Sequence, residues 1–280
     1  MLGKLVSHEW KDSWKIMSLL NAAVLILSII GIVFFNADNA VELFDSSDIG
    51  QTMGVFVYSS YSMIYVLSIL ALSIGSTLYF YVRFYKNLYT DQGYLMHTLP
   101  VTETELIWSK AIVAIIWRII GTLIMCIGIS SVLYSFFQLR LGWEWDEVMD
   151  AIEEVFEMGP MFVAVYMILG ILIGLGSIIF TIFKGYAAIS IGQLASKNKV
   201  LASVGAYFGL HIGISIVSNI VTQFSMIVIL GGRKNIFNYL DEPGWFFAGF
   251  MAVSAALIFI LCAVCYIITR QIMKNRLNLE

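Results

Sequence analysis

Residues 161–194 read MFVAVYMILGILIGLGSIIFTIFKGYAAISIGQL, and Lys184 is the only charged residue among them. As one α-helix, with a rise of 1.5 Å per residue, this run would be about 51 Å long. About 20 apolar residues are enough to cross the hydrocarbon core of a bilayer. The run therefore predicts a membrane-spanning helix that is longer than the membrane requires.

Five further apolar runs flank this one along the chain. The six spans are predicted near residues 16–35, 53–82, 111–137, 161–194, 200–230 and 245–269. The 280 residues are 60% hydrophobic and 12% charged, with a mean hydropathy of +0.87, whereas about a quarter of an ordinary soluble domain is charged. We therefore expect an all-α integral membrane protein with six transmembrane helices. Because no soluble domain fits between the spans, residues 1–280 are interpreted as a single transmembrane domain.

The charged residues are sorted between alternate loops. One set of loops and both ends of the chain carry most of the bases, namely Lys4, Lys11, Lys15, Arg83, Lys86, Lys110, Lys197, Lys199, Arg270, Lys274 and Arg276. The other loops hold only Arg140, Arg233 and Lys234, together with most of the acids. Lysine and arginine accumulate in cytoplasmic loops. This bias predicts that both termini of this multi-pass membrane protein are cytoplasmic.

The segment before the first span has a helical period of its own. Apolar side chains recur at three- and four-residue steps through Leu2, Leu5, Val6, Trp10 and Trp14, and the lysines face away. This pattern is typical of a helix that lies in the membrane interface with its tryptophans at the headgroups. Residues 1–15 are therefore predicted to form an interfacial elbow helix. It is either a simple anchor or an element against which a cytoplasmic partner pushes.

Sequence motifs for catalysis are missing from the chain. It contains no GxxxxGK[ST], so it does not bind ATP through a P-loop. It also contains no HExxH and no Gly-x-Ser-x-Gly elbow. The three histidines, His8, His97 and His211, fall in three different contexts. The sequence therefore predicts that this chain is not an enzyme and holds no cofactor or metal.

Two of the spans carry polar faces at membrane depth. Such side chains face protein or a wet cavity, so they either line a transport pathway or form hydrogen bonds between packed helices. The candidate pathway-lining residues are Tyr58, Tyr61, Tyr65 and Ser68 in the second span, and His211, Ser215, Ser218, Asn219 and Thr222 in the fifth. Small residues with a period of four predict close helix packing. The candidate packing glycines are Gly205, Gly209 and Gly213 in the fifth span, and Gly170 and Gly174 in the fourth.

Arg118 lies about two turns inside the cytoplasmic end of the third span. Its long side chain can extend to the membrane interface and keep its charge in water. This interpretation is favoured over a role in gating or in substrate binding.

The connection between the second and third spans is the most informative loop. Residues 83–110 read RFYKNLYTDQGYLMHTLPVTETELIWSK. Thr102 and Glu105 have the spacing of a capping box, so a helix is predicted to begin near Glu103. Before this box, Gly93 permits a turn, and Pro100 ends whatever structure precedes it.

This loop resembles the cytoplasmic loop of type-2 ABC exporter permeases of Gram-positive bacteria. The most specific part is TLPVT, residues 98–102, followed by a helix that ends in Ser-Lys. The elbow helix, six spans and cytoplasmic termini are similar to that family over nearly the whole chain. The resemblance implies a coupling loop that inserts into a separate ATPase, and a central pathway bordered by the second and fifth spans. The implied docking residues are Arg83, Phe84, Tyr85, Lys86, Tyr89, Asp91 and Tyr94.

The resemblance also implies the partners of the chain. They are two cytoplasmic ABC ATPase subunits that bind ATP and Mg, a second permease copy or a homologous permease, and membrane lipid; no nucleic acid is expected. The expected function is outward transport of an amphipathic substrate, which could be a peptide, a lipid or a drug-like molecule. The alternative is a scaffold or sensor subunit of an ABC-type complex that exports nothing itself.

Overall fold

The computed structural model describes residues 1–35, 48–90, 93, 100–141, 149–150, 153, 159–231 and 243–275. All regular structure within those residues is helical. The six helices are α1 (Leu2–Phe35), α2 (Asp48–Tyr89), α3 (Glu103–Leu141), α4 (Pro160–Gly192), α5 (Lys199–Gly231) and α6 (Pro243–Asn275).

Each of the six helices contains a stretch that is long and apolar enough to cross a membrane. The prediction of an all-helical, multi-pass membrane protein is therefore confirmed. Several helices are longer than their predicted spans. With 42 residues, α2 would extend for about 63 Å. Part of this helix must therefore project beyond a hydrocarbon core of about 30 Å unless it is strongly tilted.

The first helix differs from its prediction. An elbow helix over residues 1–15 required a break before the first span, but α1 continues from Leu2 to Phe35. The reason is local, because this segment has no proline and has glycine only near its two ends, at Gly3 and Gly31. A buried face with helical spacing also crosses the expected boundary, through Glu9, Ser13, Met17, Asn21, Val24 and Ser28.

The start of α3 agrees with the capping box. The Thr102 backbone N–H donates to the Glu105 carboxylate at 3.1 Å, and the Glu105 N–H donates to the Thr102 hydroxyl at 3.3 Å. These reciprocal bonds satisfy two of the backbone donors that a helix leaves open at its N-terminus. The terminal amine of Met1 lies 3.7 Å from the same carboxylate.

The chain divides into two compact units by its contacts. The first consists of Met1–Val6, Tyr81–Ile115 and Glu153–Glu280, and the second of Ser7–Phe80 and Ile116–Ile152. The core of the second unit is formed by Val24, Tyr65 and Leu72. In the first unit, α4 packs along α6 and α5, and residues 182–190 of α4 are all buried.

A tryptophan cluster joins α1 to α3 in the second unit. The rings of Trp10 and Trp117 are stacked with centroids 4.8 Å apart, and Trp14 lies 5.7 Å from Trp117. The indole N–H of Trp117 donates to the Ser13 hydroxyl at 3.2 Å. Trp10 and Trp14 were predicted at the lipid headgroups, whereas here both contact α3. Only Trp14 remains largely exposed.

Candidate functional site

The C-terminal end of α2, residues 81–89, is fixed to α4 by three side chains. We call these residues the α2 tail. The Tyr81 hydroxyl donates to the Thr181 carbonyl at 2.5 Å. Phe84 stacks on Tyr186 with ring centroids 3.7 Å apart and planes 8° apart, and the Tyr89 hydroxyl lies 2.8 Å from the Ser190 hydroxyl. The tail is therefore anchored at three points rather than free to fray.

The aromatic contacts continue from α4 to two more helices. Phe183 lies 5.4 Å from Trp108 of α3 and 5.6 Å from Tyr266 of α6, measured between ring centroids. Both pairs are edge-to-face, which is a favoured geometry for aromatic rings. The Tyr186 ring, which stacks on Phe84, also meets Phe183 edge-on at 6.2 Å. The α2 tail, α3, α4 and α6 are thus joined in one packed cluster.

Gly93 approaches the end of the α2 tail closely. Its N–H donates to the Thr90 carbonyl at 2.7 Å. A Cβ atom at Gly93 would overlap the backbone carbonyl of Leu88, so only glycine allows the chain to approach there. Gly93 itself is helical, and the turn that it was expected to permit stays a prediction.

The structure separates the predicted docking residues into three groups. Phe84 is 0% exposed and Tyr89 is 8% exposed, so neither can contact a partner in this conformation; they hold the α2 tail instead. Lys86 is exposed, and Arg83 and Tyr85 are half-buried. Asp91 and Tyr94 lie outside the described residues. Lys86 is therefore the docking candidate that is most accessible to a partner.

The tyrosine face of the second span is used within the chain. The Tyr65 hydroxyl lies 3.1 Å from the Ser28 hydroxyl, and the Tyr61 hydroxyl donates to the Leu27 carbonyl at 3.0 Å. The Ser68 hydroxyl donates to the Tyr65 carbonyl at 2.7 Å. The first two bonds fit the packing alternative better than the pathway-lining one for Tyr61 and Tyr65, whereas the Ser68 bond stays within α2 and favours neither alternative. The side chain of Tyr58 lies outside the described residues.

Within the part of the chain that the structure describes, the hydrogen bonds of the polar face of the fifth span stay inside its own helix. His211 and Asn219 are exposed, and Ser215, Ser218 and Thr222 are half-buried. The Asn219 amide donates to the Ser215 carbonyl and the Thr222 hydroxyl to the Ser218 carbonyl, each at 2.8 Å within α5 itself. This face is therefore turned away from the chain, where a pathway or a second subunit would meet it.

The predicted packing glycines lie in open surroundings. A Cβ atom added at any of them would meet nothing within 4 Å; they are Gly170, Gly174, Gly205, Gly209 and Gly213. Close packing at these positions stays a prediction for a helix of another subunit. Other glycines of α4 do have close neighbours: Gly176 and Gly192 do, and a Cβ atom at Gly185 would overlap the Tyr81 ring. The period-four pattern gave no sign of these contacts.

Arg118 is turned toward α2. Its Nη1 atom donates to the Ser73 carbonyl at 3.0 Å and to the Ser76 hydroxyl at 3.2 Å. The Ser73 carbonyl also accepts a bond from the Thr77 hydroxyl at 2.7 Å. A charge at membrane depth is stabilised by such oxygens, so Arg118 links α3 to α2 where extension to the interface was expected.

We expect Ser76→Ala to destabilise the protein by about 1.5 kcal/mol, because the half-buried guanidinium of Arg118 loses an acceptor. The free-energy cost of Ser76→Ala should nearly vanish in an Arg118→Leu background, because no charged group then needs the Ser76 hydroxyl as an acceptor. Ser68→Ala is the matched control, since the Ser68 hydroxyl donates to its own helix at Tyr65. Unfolding by SDS titration in detergent micelles measures all the variants. An equal cost of Ser76→Ala in both backgrounds would show that Arg118 and Ser76 are not coupled.

No family model, curated protein or solved structure matches this chain. Within the described ranges, no group of three or more His, Cys, Asp or Glu side chains is placed to hold a metal ion.

Proposed function

We propose that this chain is the membrane-spanning permease subunit of an ATP-driven exporter of the ABC type. A separate cytoplasmic ATPase would bind ATP and Mg and dock beside the α2 tail. The permease would work as a pair, with a second copy or a homologous chain, in the bacterial plasma membrane with both termini in the cytoplasm. The substrate would be an amphipathic molecule that moves outward.

The observation that carries this proposal is the construction of the α2 tail. It presents the exposed Lys86 on a helix end that is held by the Phe84–Tyr186 stack and the Tyr89–Ser190 pair. Helix ends normally fray and have low local stability, and a frayed end cannot transmit a push. A membrane anchor would not require such a fixed end, whereas a subunit that receives force from a docked partner would.

The polar face of α5 supports the proposed transport pathway and the pairing with a second permease. No described side chain of residues 199–228 is buried, and polar groups at membrane depth need protein or water beside them. His211 and Asn219 would then face a wet pathway or the second permease. ATP binding would close the ATPase subunits, displace the α2 tail and change the exposure of this face from the inner side to the outer side.

Purification of the tagged chain from its own membranes in a mild detergent tests the proposal. We expect a P-loop ATPase to copurify in a fixed ratio, and Lys86→Glu to weaken its binding about tenfold by reversing a charge at the interface. Lys274→Glu, at an equally exposed lysine in the last turn of α6, should bind like the wild type. Mass spectrometry and binding titration give the readout.

Two results would count against the exporter assignment in different ways. A chain that purifies without any ATPase, or that binds it equally well with Glu at position 86, would contradict docking at the α2 tail. A complex that turns over ATP in proteoliposomes but moves neither a labelled cationic peptide nor a labelled phospholipid would favour the sensor alternative.

A further inference from the structure

Burial changes abruptly along α4. None of residues 161–175 is buried, whereas all nine residues from 182 to 190 are. We call residues 182–190 the buried α4 segment. Its neighbours include the α2 tail, α3 and α6 through the aromatic cluster, and α5 through Ser203, whose hydroxyl lies 3.4 Å from the Ile189 carbonyl. A segment packed on so many helices cannot shift without moving them.

Two opposite faces of the buried α4 segment contact two different helices. Tyr186 and Ser190 are one turn apart and contact the α2 tail. Lys184 precedes Tyr186 by two residues, which places it roughly 160° away around the helix axis. It contacts the Tyr207 ring of α5. The segment therefore lies between the α2 tail and α5.

The Lys184 contact is an unusual one for a lysine. Its side chain is only 8% exposed, and Nζ lies 4.8 Å from the Tyr207 ring centroid and 5.6 Å from that of Phe180. An ammonium over a ring is attracted by the ring quadrupole, and the attraction grows when water is excluded. The contact ties α4 to α5 at a defined point on each helix.

A direct contact between α2 and α5 also depends on α4. The Tyr81 ring lies 6.0 Å from Tyr207. However, Tyr81 is held by its bond to the Thr181 carbonyl and lies against Gly185. The α2 tail therefore reaches Tyr207 in two ways, over Lys184 and directly through Tyr81, and the same turn of α4 sets the position of both side chains.

We propose that the buried α4 segment transmits displacement of the α2 tail to α5, and that Lys184 is the positioning residue that acts on Tyr207. This inference rests on the proposed function, since it describes how a push from the ATPase reaches the polar face of α5. Lys184 itself touches neither the ATPase nor the substrate. Replacement of the Lys184 side chain should leave ATPase docking intact, but displacement of the α2 tail should no longer reach α5.

Two distances between spin labels test the inference without knowledge of the substrate. One pair joins positions 82 and 274, and the other joins positions 204 and 274; all three residues are exposed, and Val82 lies in the α2 tail one turn before Lys86, so the docking lysine is kept. The background is Cys126→Ser, since Cys126 is the exposed one of the three free cysteines. Labelled chains are diluted with unlabelled ones, and the ATPase that copurifies is added with a non-hydrolysable ATP analogue.

In the wild type we expect the analogue to shift both distances. Lys184→Met should keep the shift of the 82–274 pair, and the population with the shifted 204–274 distance should fall about fivefold. Lys184→Arg, which keeps a cation over the Tyr207 ring, should restore the population with the shifted 204–274 distance. If Lys184→Met does not fold, Tyr207→Leu replaces it, with Tyr207→Phe as the variant that keeps the ring.

The other outcomes contradict either the role of Lys184 alone or the proposed function as well. A full 204–274 shift in Lys184→Met, or in Tyr207→Leu, overturns the role of Lys184 while the proposed function stands. A Lys184→Arg variant as impaired as Lys184→Met overturns it as well, because the cation would then be irrelevant. If neither distance shifts in the wild type, the proposed function fails and this inference fails with it.

Discussion

Gly185→Leu is expected to destabilise the protein by about 3 kcal/mol or to prevent folding, because overpacking a closed site forces the surrounding helices apart. Any side chain at Gly185 would overlap the ring of Tyr81. That ring cannot simply move aside, since its hydroxyl is bonded to the Thr181 carbonyl. Thermal unfolding in detergent micelles, followed by loss of monodisperse protein, measures the effect.

Gly174→Leu is the matched control for this prediction. It lies on the same helix and has nothing within 4 Å of an added Cβ atom, so in the separated chain a leucine there clashes with no other atom and meets the micelle. Lipid tails are as apolar as leucine, and stability should change by less than about 1 kcal/mol. Equal stabilities of the two variants would mean that Tyr81 does not pack on α4 as described.

Phe84→Ala is expected to cost about 3 kcal/mol, because it removes a completely buried aromatic ring and leaves a cavity. The ring stacks on Tyr186 at 3.7 Å and fixes the α2 tail. The expected result is a lower midpoint of SDS unfolding, with faster hydrogen exchange of the backbone amides near the end of α2. The second readout separates a loosened tail from a general loss of stability.

The control is Phe208→Ala in α5. Phe208 is 59% exposed. Its replacement by alanine should therefore leave no cavity, because detergent or lipid can occupy the space of the ring. We expect a change below about 1 kcal/mol and unchanged exchange at the α2 tail. If Phe84→Ala is as mild as Phe208→Ala, the tail is not anchored by its aromatic side chains.

The number and kind of elements could be predicted from the sequence because one physical rule dominates. In lipid, each backbone polar group must be bonded within the chain, so six long apolar runs require six helices. The start of α3 was also predictable, since Thr102 and Glu105 satisfy the first backbone donors locally. Both cases depend on information that lies within a few residues.

The direction in which side chains face was less predictable. A face of hydroxyl groups has the same pattern whether it lines a pathway or packs on a neighbour, and only the neighbour decides. Tyr65 is bonded to Ser28, which is 37 positions away in the chain. Phe84 belongs to a segment whose sequence resembles a docking loop, yet its ring is buried against Tyr186. Gly185 carries no signal because its partner, Tyr81, belongs to another helix.

The elbow helix predicted over residues 1–15 is not a separate element, for a related reason. The charge pattern of residues 1–15 is typical of an interfacial helix, and the apolar pattern after it is typical of a span. No proline or glycine lies near the boundary between the two patterns. The composition of the chain changes at this boundary, but the backbone of α1 continues as one helix.

Photocrosslinking from position 82 in intact membranes tests most directly whether an ATPase drives this chain through the α2 tail. Benzoylphenylalanine replaces the exposed Val82 of the tail, which keeps Lys86, in one variant and the exposed Met167 of α4 in another. We expect a light-dependent adduct between the position-82 variant and a P-loop ATPase, and no such adduct from position 167. If the position-82 variant forms no adduct, or forms adducts only with proteins that bind no nucleotide, docking at the α2 tail is contradicted.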